Sequence, residues 1–551
     1  MPESGLNNLG RVIETDVLIL GSGAAGCGAA MAAKEQGARV LIVDKGKIES
    51  SGSLGGGNDH IMANLNTGPK WDTDEAVVNS VQGIRFGTAD MIYHGWVKVI
   101  PVMIKRLEDM GIEFLKNPDG SYLRTVGFGQ PGPWWLNIKD GQFVKRKMAK
   151  WVRGMGVDVL DHVMVTRLLK NSDRVVGAVG FDIHDGTFYI LRCKTAVMAL
   201  GNTAARVNAN STGNPFNCHV YPYDTGSQCV MAYDAGARIC NLDIMHGATI
   251  LPKGFGAPGM NALNSMGGHQ LNAFGERFMG KYDPNWENSA RANQVLGTYQ
   301  EQIEGKGPPF YMDMSHFSDS DMRLLKHLLV GDKETYGDYL EQAGIDLAKE
   351  PMEVELGEIS LGGMLVFDNK YESTLKGLFV GCIFMFFSGA LCGGYSAGIE
   401  AGKAARNVMS LNELDEAQII HEKERVFKPL KVETGLTPKE FEHIVRQVMQ
   451  YYMGYTRNQK GIETALSKLN KIELHLDEIK ANNYHEVMRA NEARHLLKHC
   501  QLTTRAVMER KESGRSVYRR SDYPNLDKSL NKRLVVWQEN GVPQISFEPL
   551  E

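Results

Sequence analysis

The 551-residue chain has no Cys-x-x-Cys pair. Its eight cysteines stand at 27, 193, 218, 229, 240, 382, 392 and 500. The spacings of a zinc site or a four-iron cluster are therefore missing, and no metal ligands are assigned. Reduced, mostly buried thiols are the expectation instead. Charge of one sign is scarce too: 61 Lys and Arg stand against 65 Asp and Glu, a formal net charge of −4. That balance offers no reason to expect nucleic acid or an anionic membrane surface as a partner. No apolar run approaches the roughly 20 residues that span a bilayer. The opening MPESGLNNLGRVIE lacks a charged start, an apolar core and a twin arginine, so a cytoplasmic location is expected. No internal repeat or low-complexity segment is found. What remains is an ordinary globular composition, 43% hydrophobic and 23% charged, long enough for roughly three or four average domains.

Residues 16 to 44, DVLILGSGAAGCGAAMAAKEQGARVLIVD, organise the rest. Asp16 to Leu20 is a short apolar run that reads as a buried parallel strand. Gly21, Gly23 and Gly26 follow at GxGxxG spacing, an alanine-rich helix comes next, and a second apolar strand covers Arg39 to Val43. Asp44 closes the unit 23 residues after Gly21. The first glycine turns the chain, the second admits a pyrophosphate to the backbone, and the third lets helix and strand pack closely. The helix start offers free N–H groups and a positive dipole end to phosphate. An acid at the second strand tip accepts from ribose hydroxyls and disfavours a 2′-phosphate, hence NADP. Strand, helix, strand and acid at the required offsets make this a dinucleotide-binding βαβ unit.

A Ser/Gly-rich loop, ESSGSLGGG, follows directly, able to approach a flat ligand closely. Helical spacing covers 88–112 and a basic helix 141–154, whose Lys145-Arg146-Lys147 run reads most simply as a solvated face. Strand character returns at 157–166, 175–183 and 188–193, with an Asp-Gly turn at 185–186 marking a hairpin. TAVMALG at 195–201 is another buried strand. From 241 to 354 strand signals become sparse while Gly, Pro, Asn and Met abound, the texture of an inserted domain. Residues 357 to 406 resume strand, loop and helix, with a helix start expected near 393–396. Long helical patterns fill 411–512, where Thr437, Pro438 and Glu440 form a capping box, and a short strand, LVVWQ, lies near the end.

Several motifs together resemble the flavoprotein subunits of the fumarate reductase/succinate dehydrogenase family. They are the βαβ unit with its acid, the Ser/Gly loop, the strand ending near Gly201, GLFVG before Gly-Gly-Tyr-Ser, GERFMGKYDP at 275–284, ENSARANQVLGTYQEQIEGKGP at 287–308 and ERKESGRSVYRRSDYP at 509–524. Within the family, ESSGSLGGG, PGPWWLNIKDGQFVKRKMAKWV, PKGFGAPG and FSGALCGGYSAG look like the adenylylsulfate reductase α-subunit branch. The resemblance implies an α/β fold: a Rossmann-like FAD-binding domain formed by 1–240 and 355–410, an inserted α+β capping domain at 241–354, and a helical C-terminal domain at 411–551. It implies FAD, held non-covalently because Ser50, Ser51 and Gly52 occupy the place of the histidine that tethers FAD in succinate dehydrogenases; His60 falls too late in the loop to match.

For FAD, the assigned residues are Gly21, Gly23, Ala24, Ala25, Gly26, Asp44, Lys45, Ser51, Gly52, Gly56, Gly57, Gly201, Gly381, Ser396 and Ala397. Arg291 is the capping arginine of the family pattern, placed to deliver a proton or hold a carboxylate, although a guanidinium with a pKa above about 12 needs a close relay to act as an acid. His246 and Glu358 are the other catalytic candidates, each equally readable as a structural residue. Glu358 stands where the family has a histidine, and Cys382 where it has an acid. Arg277 and Glu276 read as braces of the cap. Trp134 and Trp135 wall a pocket or simply pack. Cys382 and Cys392 are a remote redox pair. An arginine that grips substrate in adenylylsulfate reductases is replaced by Ile250.

The resemblance implies hydride transfer between flavin N5 and a small substrate under the cap, in a hetero-oligomer that exchanges electrons with a ferredoxin-like iron–sulfur subunit. Two alternatives remain: a true adenylylsulfate reductase α subunit, or a non-catalytic electron-transfer flavoprotein subunit.

Overall fold

The computed structural model describes residues 5–82, 88–210, 212–247, 250–255, 261–383 and 386–550. Its centre is a sheet in the order 158–160, Val40–Val43, Arg11–Leu20, Phe188–Met198, Arg174–Asp182, Val163–Asn171, with Leu378–Val380 also paired to Phe188–Met198. Val17 to Leu20 lie parallel to Val40 to Val43 on one side and to Thr195 to Met198 on the other. These residues are buried on both faces, which is why they read as continuous apolar runs. The segments 163–171, 174–182 and 188–198 form an antiparallel meander, with the expected hairpin turn around Asp185-Gly186.

Helix Ala24–Glu35 is nearly all buried, against the sheet and against helix Phe386–Arg406. The two helices approach so closely that a Cβ on Gly394 would overlap the Ala25 carbonyl, and one on Gly28 the Leu391 carbonyl. The glycines of the 393–398 stretch therefore serve helix packing. The helix itself begins by Phe386, well before the expected start near 393–396, so its first turn rather than its Gly-Gly-Tyr-Ser segment reaches the ligand cavity described below.

Between 241 and 356 an antiparallel sheet in the order 250–252, 352–356, 310–313, 269–271 carries helices Asp319–Asp332 and Tyr336–Ala343 around its own apolar cluster, while helix Arg291–Ile303 buries Val295 in a neighbouring cluster. Helices Pro438–Tyr452, Gln459–Glu473 and Tyr484–Glu509 pack together near the carboxyl end. The Thr437 hydroxyl accepts from Glu440 N at 3.2 Å while Glu440 Oε2 accepts from Thr437 N at 2.8 Å, completing the capping box. The terminal strand becomes a hairpin, Arg533–Glu539 with Val542–Glu548, paired to Ile239–Cys240. No helix among the described residues is long and apolar enough to cross a membrane.

Candidate active site

At the carboxyl ends of the parallel strands lies a cavity of about 380 Å³. Gly21, Gly23, Ala24 and Ala25 line it, as do Asp44, Lys45, Gly52, Gly57 and Gly201. Gly21 has φ of 97°, a left-handed conformation that favours glycine, and a side chain there would overlap the Ala199 carbonyl. A Cβ on Gly26 would overlap the Gly21 carbonyl, so this glycine permits the close helix–strand packing without itself reaching the cavity. The start of helix Ala24–Glu35 faces the cavity with its free N–H groups, a ready anion site.

Asp44 is tightly fixed. Oδ2 accepts from Ser22 N and Oγ at 2.7 and 2.8 Å, and Oδ1 from Gly46 N and Ser51 Oγ, both at 2.7 Å. Ser51 thus acts by orienting Asp44 and does not line the cavity. Lys45 lines the cavity but is anchored away from it, donating to Tyr223 O at 2.5 Å and to the buried Glu492 at 2.6 Å. Burial would raise the Glu492 carboxyl; Lys45, Arg206 and Arg489 outweigh it and hold the group well below the usual carboxylate range. Asp224, also on the lining, accepts from Thr203 Oγ1 at 2.7 Å. Burial pushes its carboxyl up to about 7, against the pull of Thr203 and Lys45.

A second chamber of about 100 Å³ adjoins the first. Asn58, Asn261, Arg291, Phe386 and Phe387 line both; His60, Met62 and Trp135 complete the smaller one. Arg291 is the first residue of helix Arg291–Ile303, so its guanidinium adds to the positive end of that helix dipole. It lies 4.6 Å over the Phe128 ring. Burial lowers its pKa to about 10, and the charge of Asp332 opposes the shift. Asp332 ends helix Asp319–Asp332 with Oδ2 unpartnered; burial and then Asp59 push its carboxyl well above the ordinary value. His60 Nδ1 lies 2.5 Å from Asp59 Oδ1, and its ring stacks on Trp135 at 3.8 Å and 17°.

Residues 16–463 match the family model described as an FAD binding domain, and residues 443–551 match the fumarate reductase flavoprotein C-terminal model. The chain belongs to this FAD-binding flavoprotein family. A fumarate reductase (CoM/CoB) subunit of Methanothermobacter marburgensis is 27% identical over 93% of this chain and 95% of its own length. The succinate dehydrogenase flavoprotein subunit of Rickettsia bellii is 23% identical over 93% and 90%. Adenylylsulfate reductase of Archaeoglobus fulgidus superimposes with a TM-score of 0.87 at 22% identity, covering 98% of this chain and 96% of that one. A variant of E. coli quinol fumarate reductase gives 0.83 at 19%, covering 98% and 97%. These two likenesses show the shared fold.

The flavoprotein therefore binds FAD, and its cavity fits that group. The glycine turn and helix start suit a pyrophosphate, Asp44 suits a ribose, and the apolar stretch formed by Val163, Met164, Ala199, Phe386 and Phe387 suits a flat ring system.

Several expected residues stand elsewhere. Gly56, Gly381, Ser396 and Ala397 are not on the lining. Ser396 is buried well inside its helix, donating to Gly95 O at 3.4 Å, and Ala397 is fully buried; Ala390, Phe386 and Phe387 of the same helix line the cavity instead. Gly381 precedes Cys382, which does line it. Glu358 is buried beside the cavity and is not on it; its Oε1 accepts from His219 N and meets His219 Nδ1, both at 2.6 Å, and His219 is the lining residue. Burial would raise the Glu358 carboxyl, but His219 holds it below its usual value. The backbone of His246 pairs with Ser360; its side chain lies outside the described residues, as does the second half of the PKGFGAPG turn.

Arg277 makes a 2.7 Å ion pair with Glu287 and lies over Trp286, while Glu276 meets Asn272 and Lys281, as braces do. Trp134 donates to Trp71 O at 2.8 Å and packs; Trp135 walls the small chamber. Cys382 and Cys392 are free, and burial pushes the first thiol to about 12 and the second well above its usual value, so neither carries thiolate character. The solvated basic face needs correction: Lys145 is buried, donating to Ile48 O and lying 3.6 Å from Cys27 Sγ, while Arg146 reaches Glu334 at 3.0 Å. The loop that follows Asp44 brings the Ile48 carbonyl over this helix, which is why one of its cations is taken inside.

The residues missed by sequence reasoning are Asn58, Asp59, His60, Asp332 and His219. The Asn-Asp-His run after the glycine loop is the available signal for the first three.

Proposed function

We propose that this chain is the catalytic flavoprotein subunit of a reductase that acts on a small anionic substrate bearing an activated double bond. Bound FAD supplies the two-electron chemistry. The observation that carries this reading is the position of Arg291. It is half-buried, sits at a helix start, and lines both the FAD cavity and the small chamber beside it. A carboxylate in the chamber meets a partly desolvated guanidinium, which makes a charge-assisted hydrogen bond. Phe386, Phe387 and Trp135 supply apolar wall around it. The chamber has room for several water-sized groups, which suits a substrate of few heavy atoms.

FAD is held non-covalently, since Ser51 and Gly52 offer no histidine to the ring at that point of the loop. Electrons arrive from an iron–sulfur partner, a reading supported by the likeness to a protein named as one subunit of a fumarate reductase. The eight buried, free thiols fit a reducing, cytoplasmic setting. The likeness to a protein named a fumarate reductase supports the substrate class.

The adenylylsulfate reductase reading is second. Ile250 and Leu251 line the cavity where a second cation would grip an oxyanion, which counts against it. A purely electron-transferring subunit would have no use for Arg291 on the wall of the small chamber.

The test is anaerobic mixing of the reduced, FAD-loaded full-length protein with fumarate, acrylate or crotonate, and separately with adenylylsulfate. Flavin reoxidation by an unsaturated acid and not by adenylylsulfate is expected. Reoxidation by adenylylsulfate alone would move the protein to the second reading, and reoxidation by neither would leave the electron-transfer reading.

A further inference from the structure

We propose that a further cavity, separate from the FAD cavity and its side chamber, takes a small organic molecule carrying two or more negative charges, and that its occupancy is passed to the FAD cavity through His495. The inference does not depend on which substrate the enzyme reduces.

The cavity measures about 260 Å³ and shares no lining residue with the other two. It lies where strand Val163–Asn171 meets helices Ser227–Asp234, Glu416–Phe427 and Tyr484–Glu509. Five Lys and Arg side chains line it against three Asp and Glu, although acids outnumber bases in the chain as a whole.

The acids are mostly engaged or outside. Glu422 accepts from Arg425 Nε and Nη2 at 2.9 and 2.5 Å, Glu473 accepts from Gln501 at 2.8 Å, and Asp234 is exposed. The cations are less well matched. Lys170 and Lys498 meet no carboxylate in ion-pair contact among the described residues. Arg494 comes only within 3.6 Å of Asp477, and Arg167 within 3.8 Å of Glu422. Burial and then the neighbouring Arg425 hold the Arg494 guanidinium below its usual value, as expected where cations crowd together with too little counter-charge.

A cleft with an excess of one sign concentrates the field on a ligand of the other. Guanidinium forks suit phosphate or carboxylate oxygens. Leu168, Val230, Leu476 and Leu497 add apolar wall, which suits an organic body attached to the anionic groups.

His495 connects this cavity to the flavin. It is buried, it lines the cavity, and its Nδ1 lies 2.9 Å from Ser227 Oγ. Ser227 lines the FAD cavity. Burial, Arg425, Lys45 and Arg494 push the His495 ring down to about 3, so it is neutral. An anion settling beside Arg494 changes the field on that ring, and the hydrogen bond carries the change to the FAD wall.

The test is calorimetric titration of the full-length, FAD-loaded protein with AMP, citrate and inorganic phosphate at constant ionic strength. AMP or citrate should bind once per chain and more tightly than inorganic phosphate, and the tighter of the two tells phosphate from carboxylate. Lys498→Gln, which breaks no ion pair, should weaken binding roughly tenfold. Adding Arg494→Gln should abolish it, while Lys326→Gln on an exposed face elsewhere and Arg291→Ala should leave it unchanged. Absence of binding, or equal binding in the Lys498→Gln and doubly substituted proteins and the wild type, would overturn the site. Loss in Arg291→Ala would place the anion in the chamber beside the flavin and overturn it too. The flavin difference spectrum should shift as the anion saturates, and Ser227→Ala should bind the anion without that shift. Saturation with no shift in the wild type, or a full shift in Ser227→Ala, would overturn the coupling.

Discussion

The large cavity that suits FAD and the small chamber beside it share five lining residues but are built in opposite ways. The cradle is local. Gly21, Gly23 and Asp44 fall within one βαβ unit, and their positions follow from the turn, the helix and the strand between them. The chamber is assembled from distant pieces: Asn58 to Met62 after the glycine loop, Trp135 from a neighbouring strand, Arg291 from the start of one helix, and Phe386 and Phe387 from the start of another. A cradle built locally is set by backbone sterics, whereas a chamber built remotely depends on how separate elements dock. Damage to the first should remove the flavin; damage to the second should leave a yellow protein that does not turn over.

Substitutions that break this contrast can be ordered by expected effect. Gly26→Val puts a branched side chain against the Gly21 carbonyl. The helix and strand must separate, and the protein should be recovered colourless or unfolded; flavin absorbance after purification checks this. Glu492→Gln comes next. Glu492 is fully buried among Lys45, Arg206 and Arg489, and neutralising it leaves those cations uncompensated. Breaking such a pair costs about 3–5 kcal/mol, read as a lowered denaturation midpoint. Because its folded-state carboxyl is held below the ordinary value of 4.5, the contribution is fully present above that pH and lost as the pH falls beneath it. The variant should therefore lose less stability than the wild type on acidification.

Arg291→Ala removes only the anchor. FAD content should stay at the wild-type level while reoxidation by fumarate at low substrate concentration falls about a hundredfold, the loss expected from truncating one desolvated charged partner. Asp224→Asn is the mildest. Burial lifts Asp224 to about 7, so its charge appears on the cavity wall as pH rises through neutrality. An ionised Asp224 repels the FAD pyrophosphate, so FAD should bind a few-fold more tightly below pH 7 than above it. The asparagine variant should flatten that dependence in a fluorescence titration. The same raised carboxyl lowers folded-state stability as the pH climbs from the ordinary aspartate value through 7, and the variant should lose that trend as well.

The same contrast governs what the sequence alone makes legible. The first strand, helix and strand are readable because apolar runs, glycines and the acid sit at offsets set by covalent geometry. Arg291 is reached only through its motif context, GERFM followed by SAR, since nothing local marks a guanidinium that lines a cavity. His60 lies too late in the loop for a tether, and the Asn58-Asp59-His60 run is the local signal that it has another role. That it stacks on Trp135 and lines one chamber with Arg291 follows from the pairing of 60–62 with 135–137, which no local pattern encodes. Lys145 misleads because a basic run looks solvated until a loop carbonyl is folded over it. The early start of helix Phe386–Arg406 has a similar cause: glycines at 393–398 resemble a cofactor turn but are used where two helices touch.

What is proposed for the chamber beside the flavin depends on a small anion resting against Arg291. Titrating the oxidised, FAD-loaded protein with succinate, while recording the flavin difference spectrum, reads that contact without turnover. A saturable perturbation is expected in the wild type, lost in Arg291→Ala while FAD remains bound. A perturbation of equal size and affinity in both proteins would show that the anion sits elsewhere and that Arg291 does not hold it.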